Sequence, residues 1–136
     1  AAQLARGDGD GQGEGLIVEV GGGKGELALL LSLRGHACAL VDPRPSAGYL
    51  SKKQRKQLRR SASAPFAVHR CFFGGEDAES AATTARLLAR ARLIVGMHPD
   101  EATDAIVQGA VAARLPFAVV PCCVFARRFT ARRVRP

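Results

Sequence analysis

The segment Leu16-Ile17-Val18-Glu19-Val20-Gly21-Gly22-Gly23-Lys24-Gly25-Glu26 governs how the rest of the chain is to be understood. Its first five residues are a short, largely apolar run that stops at a cluster of glycines, the pattern of a strand covered on both faces. The residues that follow, Glu26 to Arg34, are rich in Leu and Ala and close on Gly35, which predicts a helix with a glycine stop. Glycines between a strand and a helix permit a tight turn and let a ligand approach the backbone near the positive end of the helix. A phosphate-cradling P-loop is excluded by spacing. That loop needs four residues between its first glycine and Gly-Lys, followed by Ser or Thr, whereas Lys24 is followed by Gly25. A dinucleotide fingerprint fits poorly, because position 26 is Glu where Gly or Ala would allow close packing and leave room for a pyrophosphate.

Outward from this turn the same alternation repeats. Ala37 to Val41 is a second buried-strand pattern and runs into Asp42-Pro43, and Phe66 to Phe72 has the β-branched and aromatic residues of a third strand. Ala78 to Arg90 is expected to be a helix that packs with Ala81, Ala82, Ala85, Leu88 and Ala89 on one face. Arg92 to Met97 is the fourth strand. Pro99, Asp100 and Glu101 then open a helix to about Arg114, with Ile106, Ala110 and Ala113 as its buried positions, and Phe117 to Val120 is a fifth strand halted by Pro121. Strands separated by helices imply right-handed crossovers and a parallel sheet. The expected fold is therefore α/β, a three-layer Rossmann-like sandwich with strand order 3-2-1-4-5 and its ligand crevice at the carboxyl ends of strands one and four.

The chain has 136 residues, 47% of them hydrophobic, which suits one domain rather than two. That domain is expected over 16–125, between a flexible Gly-rich leader at 1–15 and a basic tail at 126–136. Beyond Cys123 there is too little sequence for the helix and antiparallel hairpin that often complete such a sheet. No apolar run approaches the ~20 residues that cross a bilayer, so no membrane partner is expected. The four cysteines, Cys38, Cys71, Cys122 and Cys123, have no C-x-x-C spacing; they suggest reduced thiols in an intracellular compartment, whether mitochondrial, cytoplasmic or nuclear, and no metal site.

The net charge of +8 is unevenly placed. Lys52, Lys53, Arg55, Lys56, Arg59 and Arg60 fall in 51–60, and Arg127, Arg128, Arg132, Arg133 and Arg135 in 127–136, with no acid in either window. These windows supply 11 of the 20 basic residues and leave the rest at −3. Such patches suit the phosphates of RNA, while a solvated loop and tail account for them equally well. Window 51–60 is compatible with a helix whose narrow apolar side lies around Tyr49, Leu50 and Leu58.

Glu19, Gly21, Gly23 and Gly25 form the series acidic-x-Gly-x-Gly-x-Gly, which resembles the first motif of class I methyltransferases. The resemblance implies S-adenosylmethionine as cofactor, a ligand that brings an ammonium and a sulfonium where a dinucleotide brings a pyrophosphate. Asp42, closing the second strand, stands where an acid accepts hydrogen bonds from ribose hydroxyls. The similarity widens over roughly Leu16 to Phe125. Val-Gly-Met-His98-Pro-Asp100-Glu-Ala-Thr and Val-Val-Pro121-Cys122-Cys123 resemble a eukaryotic methyltransferase-like group with a Gly-x-His segment after strand four and Pro-Cys-Cys after strand five. That group implies Glu19, Gly21, Gly23, Gly25 and Asp42 on the cofactor, and Gly96, His98, Pro121, Cys122 and Cys123 along the acceptor side. The chain departs from it at Pro99-Asp100 and at Val124-Phe125.

His98 is a candidate general base, with a helix-capping or core role as the alternative. Cys122 is a candidate nucleophile, with small apolar packing as the plainer account. Glu76 and Asp77 are placed to reach an adenine edge, or simply to start a helix. Two functions follow. One is methyl transfer from S-adenosylmethionine to RNA, tRNA or rRNA, with Lys52, Lys53, Arg55, Lys56, Arg59, Arg60, Arg127 and Arg128 on the phosphates. The other is a catalytically inactive methyltransferase-fold protein that binds RNA within a ribonucleoprotein or ribosome-assembly complex.

Overall fold

The computed structural model of the chain describes residues 15–121. Its elements run β1 (Leu16–Val20), α1 (Glu26–Leu33), β2 (Cys38–Val41), α2 (Lys52–Arg60), β3 (Ala67–His69), α3 (Ala78–Arg90), β4 (Ala91–Met97), a 3₁₀ turn (Asp100–Ala102), α4 (Thr103–Ala112) and β5 (Phe117–Val120). The five strands form one sheet in the order β3-β2-β1-β4-β5, and every pairing is parallel. The α/β three-layer architecture expected from the sequence is therefore present in the described residues.

The two faces of the sheet are filled differently. Val18, Val20, Ala39, Val41 and Ile94 point to one side, where Leu87 of α3 and Ile106 and Ala110 of α4 meet them together with Phe73. Ile17 and Cys38 point to the other, under Ala28 of α1, with Leu31, Phe66, Leu93 and Val95 around them. Leu40, Ile94, Ile106 and Val18 are wholly buried, each worth roughly 1.5–3 kcal/mol in apolar burial. The register sets Glu19 beside Leu40 and Val20 beside Val41, so β1 and β2 end level and their last residues open at one edge.

Local chemistry accounts for the element boundaries. Gly35, at φ 85, follows the Arg34 C-cap of α1 and donates its N–H to the Ser32 carbonyl, the glycine stop expected there. Helix α2 begins with a capping box that the sequence carries as Ser51-x-x-Gln54: the Gln54 N–H donates to Ser51 Oγ at 3.2 Å, and the Ser51 N–H to Gln54 Oε1 at 2.8 Å.

Three expectations are corrected. Helix α3 packs through Ser80, Thr83, Thr84 and Leu87, while Ala81, Ala82, Ala85 and Ala89 are exposed and Leu88 is half-buried. The phase is set at the N-terminus, where Asp77 Oδ1 accepts the Ser80 N–H at 2.9 Å, and by Thr84 Oγ1, which accepts the Gly74 N–H at 3.0 Å. A threonine that gives its hydroxyl to a neighbouring loop buries its methyl with it, and the small alanines leave little apolar area to compete. Strand β3 pairs over only three residues, because its partner β2 ends at Val41. The helix after Pro99 starts as a 3₁₀ turn and ends at Ala112, which leaves Ala113 exposed.

Candidate functional site

A crevice of about 500 Å³ opens at the carboxyl ends of β1, β2 and β4, where the sheet's connections change direction. Val20 and Gly21 form its floor with Val41. Asp42, Pro43 and Arg44 line one side, and Pro99, Asp100, Glu101, Ala102 and Ala105 line the other. Phe72 and Phe73, from the chain leaving β3, complete the wall. A cavity of this size with apolar walls and a few polar groups has the character of a small-molecule site.

The glycine turn is shaped by what presses on it. Gly21 has φ 70, and a Cβ there would stand 2.9 Å from Pro99 Cα, so the absent side chain admits the β4–α4 connection against the crevice floor. The Gly23 N–H donates to Asp42 Oδ2 at 2.9 Å, and the Gly23 carbonyl accepts the Gly48 N–H at 2.9 Å. Gly25, at φ 85, is buried below Phe66 and Leu40 rather than facing the crevice. Gly96 is likewise buried, with Ile106 and Pro99 against it. Of the glycines proposed for cofactor contact, only Gly21 lines the cavity.

Glu19 lies on the α1 side of the sheet, not on the crevice wall. Its carboxylate is 2% exposed, sits beneath Gly22, and accepts the Ala28 N–H at 2.9 Å through Oε2. Gly25, the N-cap residue of α1, has no side chain to offer, so Glu19 caps that helix from the neighbouring strand. Burial pushes the Glu19 carboxyl above its ordinary value, and the Ala28 N–H only partly offsets this.

Asp42 does reach the crevice, but both of its oxygens are engaged. Oδ1 accepts the Arg44 N–H and the Arg44 Nε–H, each at 2.9 Å, and Oδ2 accepts the Gly23 N–H and the Arg44 Nη2 group. Burial raises the carboxyl, yet the Arg44 guanidinium and the two backbone N–H groups outweigh it and hold Asp42 below the usual carboxylate range. Arg44 therefore covers the atoms expected to meet a ribose, with its own side chain 57% exposed.

Comparison with protein-family models, curated proteins and solved structures yields no match.

The remaining expected residues are scattered. His98 is exposed, at φ 52, and ties β4 to β5 through its N–H to the Val120 carbonyl at 2.8 Å; its neighbour Pro99, not its own side chain, lines the crevice. Asp77 caps α3, the hydrogen bond to Ser80 holds its carboxyl below the usual range, and Glu76 is exposed away from the crevice lining. Lys52, Lys53, Arg55, Lys56, Arg59 and Arg60 are all exposed on α2, whose sole buried residue is Leu58. Cys122, Cys123, Arg127 and Arg128 lie outside the described residues. Among the described residues no group of three or more His, Cys, Asp or Glu is placed to hold a metal ion, and no helix is long and apolar enough to cross a membrane. Sequence reasoning missed Arg44, Phe72 and Phe73. The signal for Arg44 was its place two residues after a strand-ending acid, and that for the phenylalanines was an apolar pair before Gly74-Gly75.

Proposed function

We propose that the crevice binds S-adenosylmethionine and that the chain transfers its methyl group to an RNA acceptor. The observation that carries this is the place of Asp42. This carboxylate closes β2 and stands on the wall of a crevice at the sheet's switch point, tied to the Gly23 N–H of the glycine turn, where an acid receives the ribose hydroxyls of an adenosyl ligand. Glu26, in the first turn of α1, disfavours the pyrophosphate of a dinucleotide. Phe72, Val20, Val41 and Ala105 supply apolar surface for a flat adenine ring.

When bound, the cofactor supplies an electrophilic methyl carbon. The chain's own part is to orient and to exclude water: Asp42 to receive ribose hydroxyls, and Gly21 to let Pro99 close against the crevice floor. Receipt of a ribose requires Arg44 to leave Asp42, an exchange open to a side chain that is more than half exposed. The six cations of α2 hold phosphates of the acceptor. Titration calorimetry with S-adenosylmethionine on the whole chain tests the assignment. Binding in the micromolar range that is lost in Asp42→Asn supports it, and no heat at millimolar ligand overturns it.

The fork between Asp42 and Arg44 favours a second reading, in which the fold is kept for RNA binding within a ribonucleoprotein and no cofactor enters. RNA binding with a steep salt dependence in a chain that takes up no S-adenosylmethionine distinguishes it.

A further inference from the structure

A second cavity, of about 390 Å³, lies apart from the crevice, between α2, β3 and the segment 43–50. Leu58, Phe66 and Val68 form its apolar base, Gly48 and Tyr49 its rim, and Arg55 of α2 reaches it from the basic side. Tyr49 is 66% exposed, an unusual setting for an aromatic ring beside an apolar hollow. The ring is nevertheless held. Arg70 places its guanidinium carbon 5.7 Å from the ring centroid, and that guanidinium is fixed by donating to the Pro45 carbonyl at 3.2 Å and the Ala47 carbonyl at 2.9 Å.

We infer that this hollow is a base-stacking subsite for single-stranded RNA, with one unpaired base against Tyr49 and the flanking phosphates on α2. An aromatic ring backed by an immobilised arginine loses little freedom when a base covers it, and stacking of this kind tolerates any base. Charge complementarity identifies the partner as polyanionic: Arg55 lines the cavity, and the helix that carries it bears six exposed cations and no acid. An aromatic platform beside a cationic track fits a single strand, since the bases of a duplex are already stacked on one another. The subsite deepens the proposal that RNA is the acceptor, and it does not depend on the cofactor.

The sequence contains one Tyr and no Trp, so tyrosine fluorescence reports Tyr49 alone. A single-stranded RNA 12-mer, titrated without S-adenosylmethionine, is expected to quench that emission as it binds. Read by the fluorescence anisotropy of an end-labelled RNA, which does not need the tyrosine, Tyr49→Ala is expected to weaken binding about tenfold, and Tyr49→Phe to preserve it. An RNA duplex and an acidic peptide are expected to bind more weakly and to leave the emission unchanged. Unaltered affinity in Tyr49→Ala, or saturable binding without quenching, overturns the subsite. A DNA strand of the same sequence that binds as tightly overturns RNA as its source. Thermal melting that matches the wild type confirms that Tyr49→Ala is folded, and Arg70→Met, which frees the ring from its support, provides a second variant expected to lose affinity. Because the cofactor is absent throughout, failure here leaves calorimetric binding of S-adenosylmethionine as a separate outcome.

Discussion

The Glu19 carboxylate occupies the space that a Cβ would take at Gly22, and from there its Oε2 reaches the Ala28 N–H at 2.9 Å. One acid thus fastens the end of β1 to the start of α1 and dictates a glycine in the turn between them. Glu19→Ala removes the acceptor of a buried N–H and is expected to cost about 1–3 kcal/mol in urea denaturation. Gly22→Ala is expected to be destabilising in the wild type and much less so in the Glu19→Ala background. A double-mutant cycle that shows simple additivity would refute the contact.

Stability should also depend on pH through the same group. An acid held above its ordinary value binds its proton more tightly when folded. Glu19 therefore makes stability fall as pH rises from near 4.5 through its raised folded value, with a plateau above. Asp42 works in the opposite sense: its contribution is present at neutral pH and is lost as pH falls below about 3.8 through its depressed folded value. His69, held below its ordinary value by burial, works against Glu19 as pH rises toward 6.5. The urea midpoint of the wild type is therefore expected to fall relative to that of Glu19→Gln as pH rises from 4 to 8.

Arg44→Met releases both Asp42 oxygens on the crevice side. Asp42 itself is 1% exposed and would keep only the Gly23 and residue-44 backbone N–H groups, so the change is expected to cost about 1–3 kcal/mol in urea unfolding. Affinity for S-adenosylmethionine measured by calorimetry should rise, since the ligand no longer competes with the guanidinium. A fall in affinity would mean that Arg44 holds the ligand rather than the acid.

Thr84→Val keeps the shape of the α3 core position but leaves the Gly74 N–H without its acceptor. A loss of about 1–2 kcal/mol in thermal or urea unfolding is expected. Ala85→Lys, on the exposed side of α3, should change stability by less than about 0.5 kcal/mol.

The strands and the turn could be anticipated from residue type because their causes are local. Leu16 to Val20 is apolar enough to require cover on both faces, and the glycines after it leave nowhere for the strand to continue. The phase of α3 could not, because it depends on where Thr83 and Thr84 find partners, and alanine periodicity is blind to hydroxyl chemistry. The site divides in the same way. The position of the crevice follows from strand order, whereas the inward turn of Glu19, the Asp42–Arg44 fork and the arrival of Phe72 and Phe73 depend on how loops distant in sequence close around it.

The segment from Pro43 to Leu50 is moored at both ends, by Arg44 to Asp42 and by the Gly48 N–H to the Gly23 carbonyl, and between them by Arg70 to the Pro45 and Ala47 carbonyls. A bridge pinned at both abutments transmits load. If the crevice takes the proposed ligand and Tyr49 the proposed base, both would act on this one span. Whatever free energy passes one way across the bridge must pass equally in the other, so each occupant would feel the arrival of its neighbour.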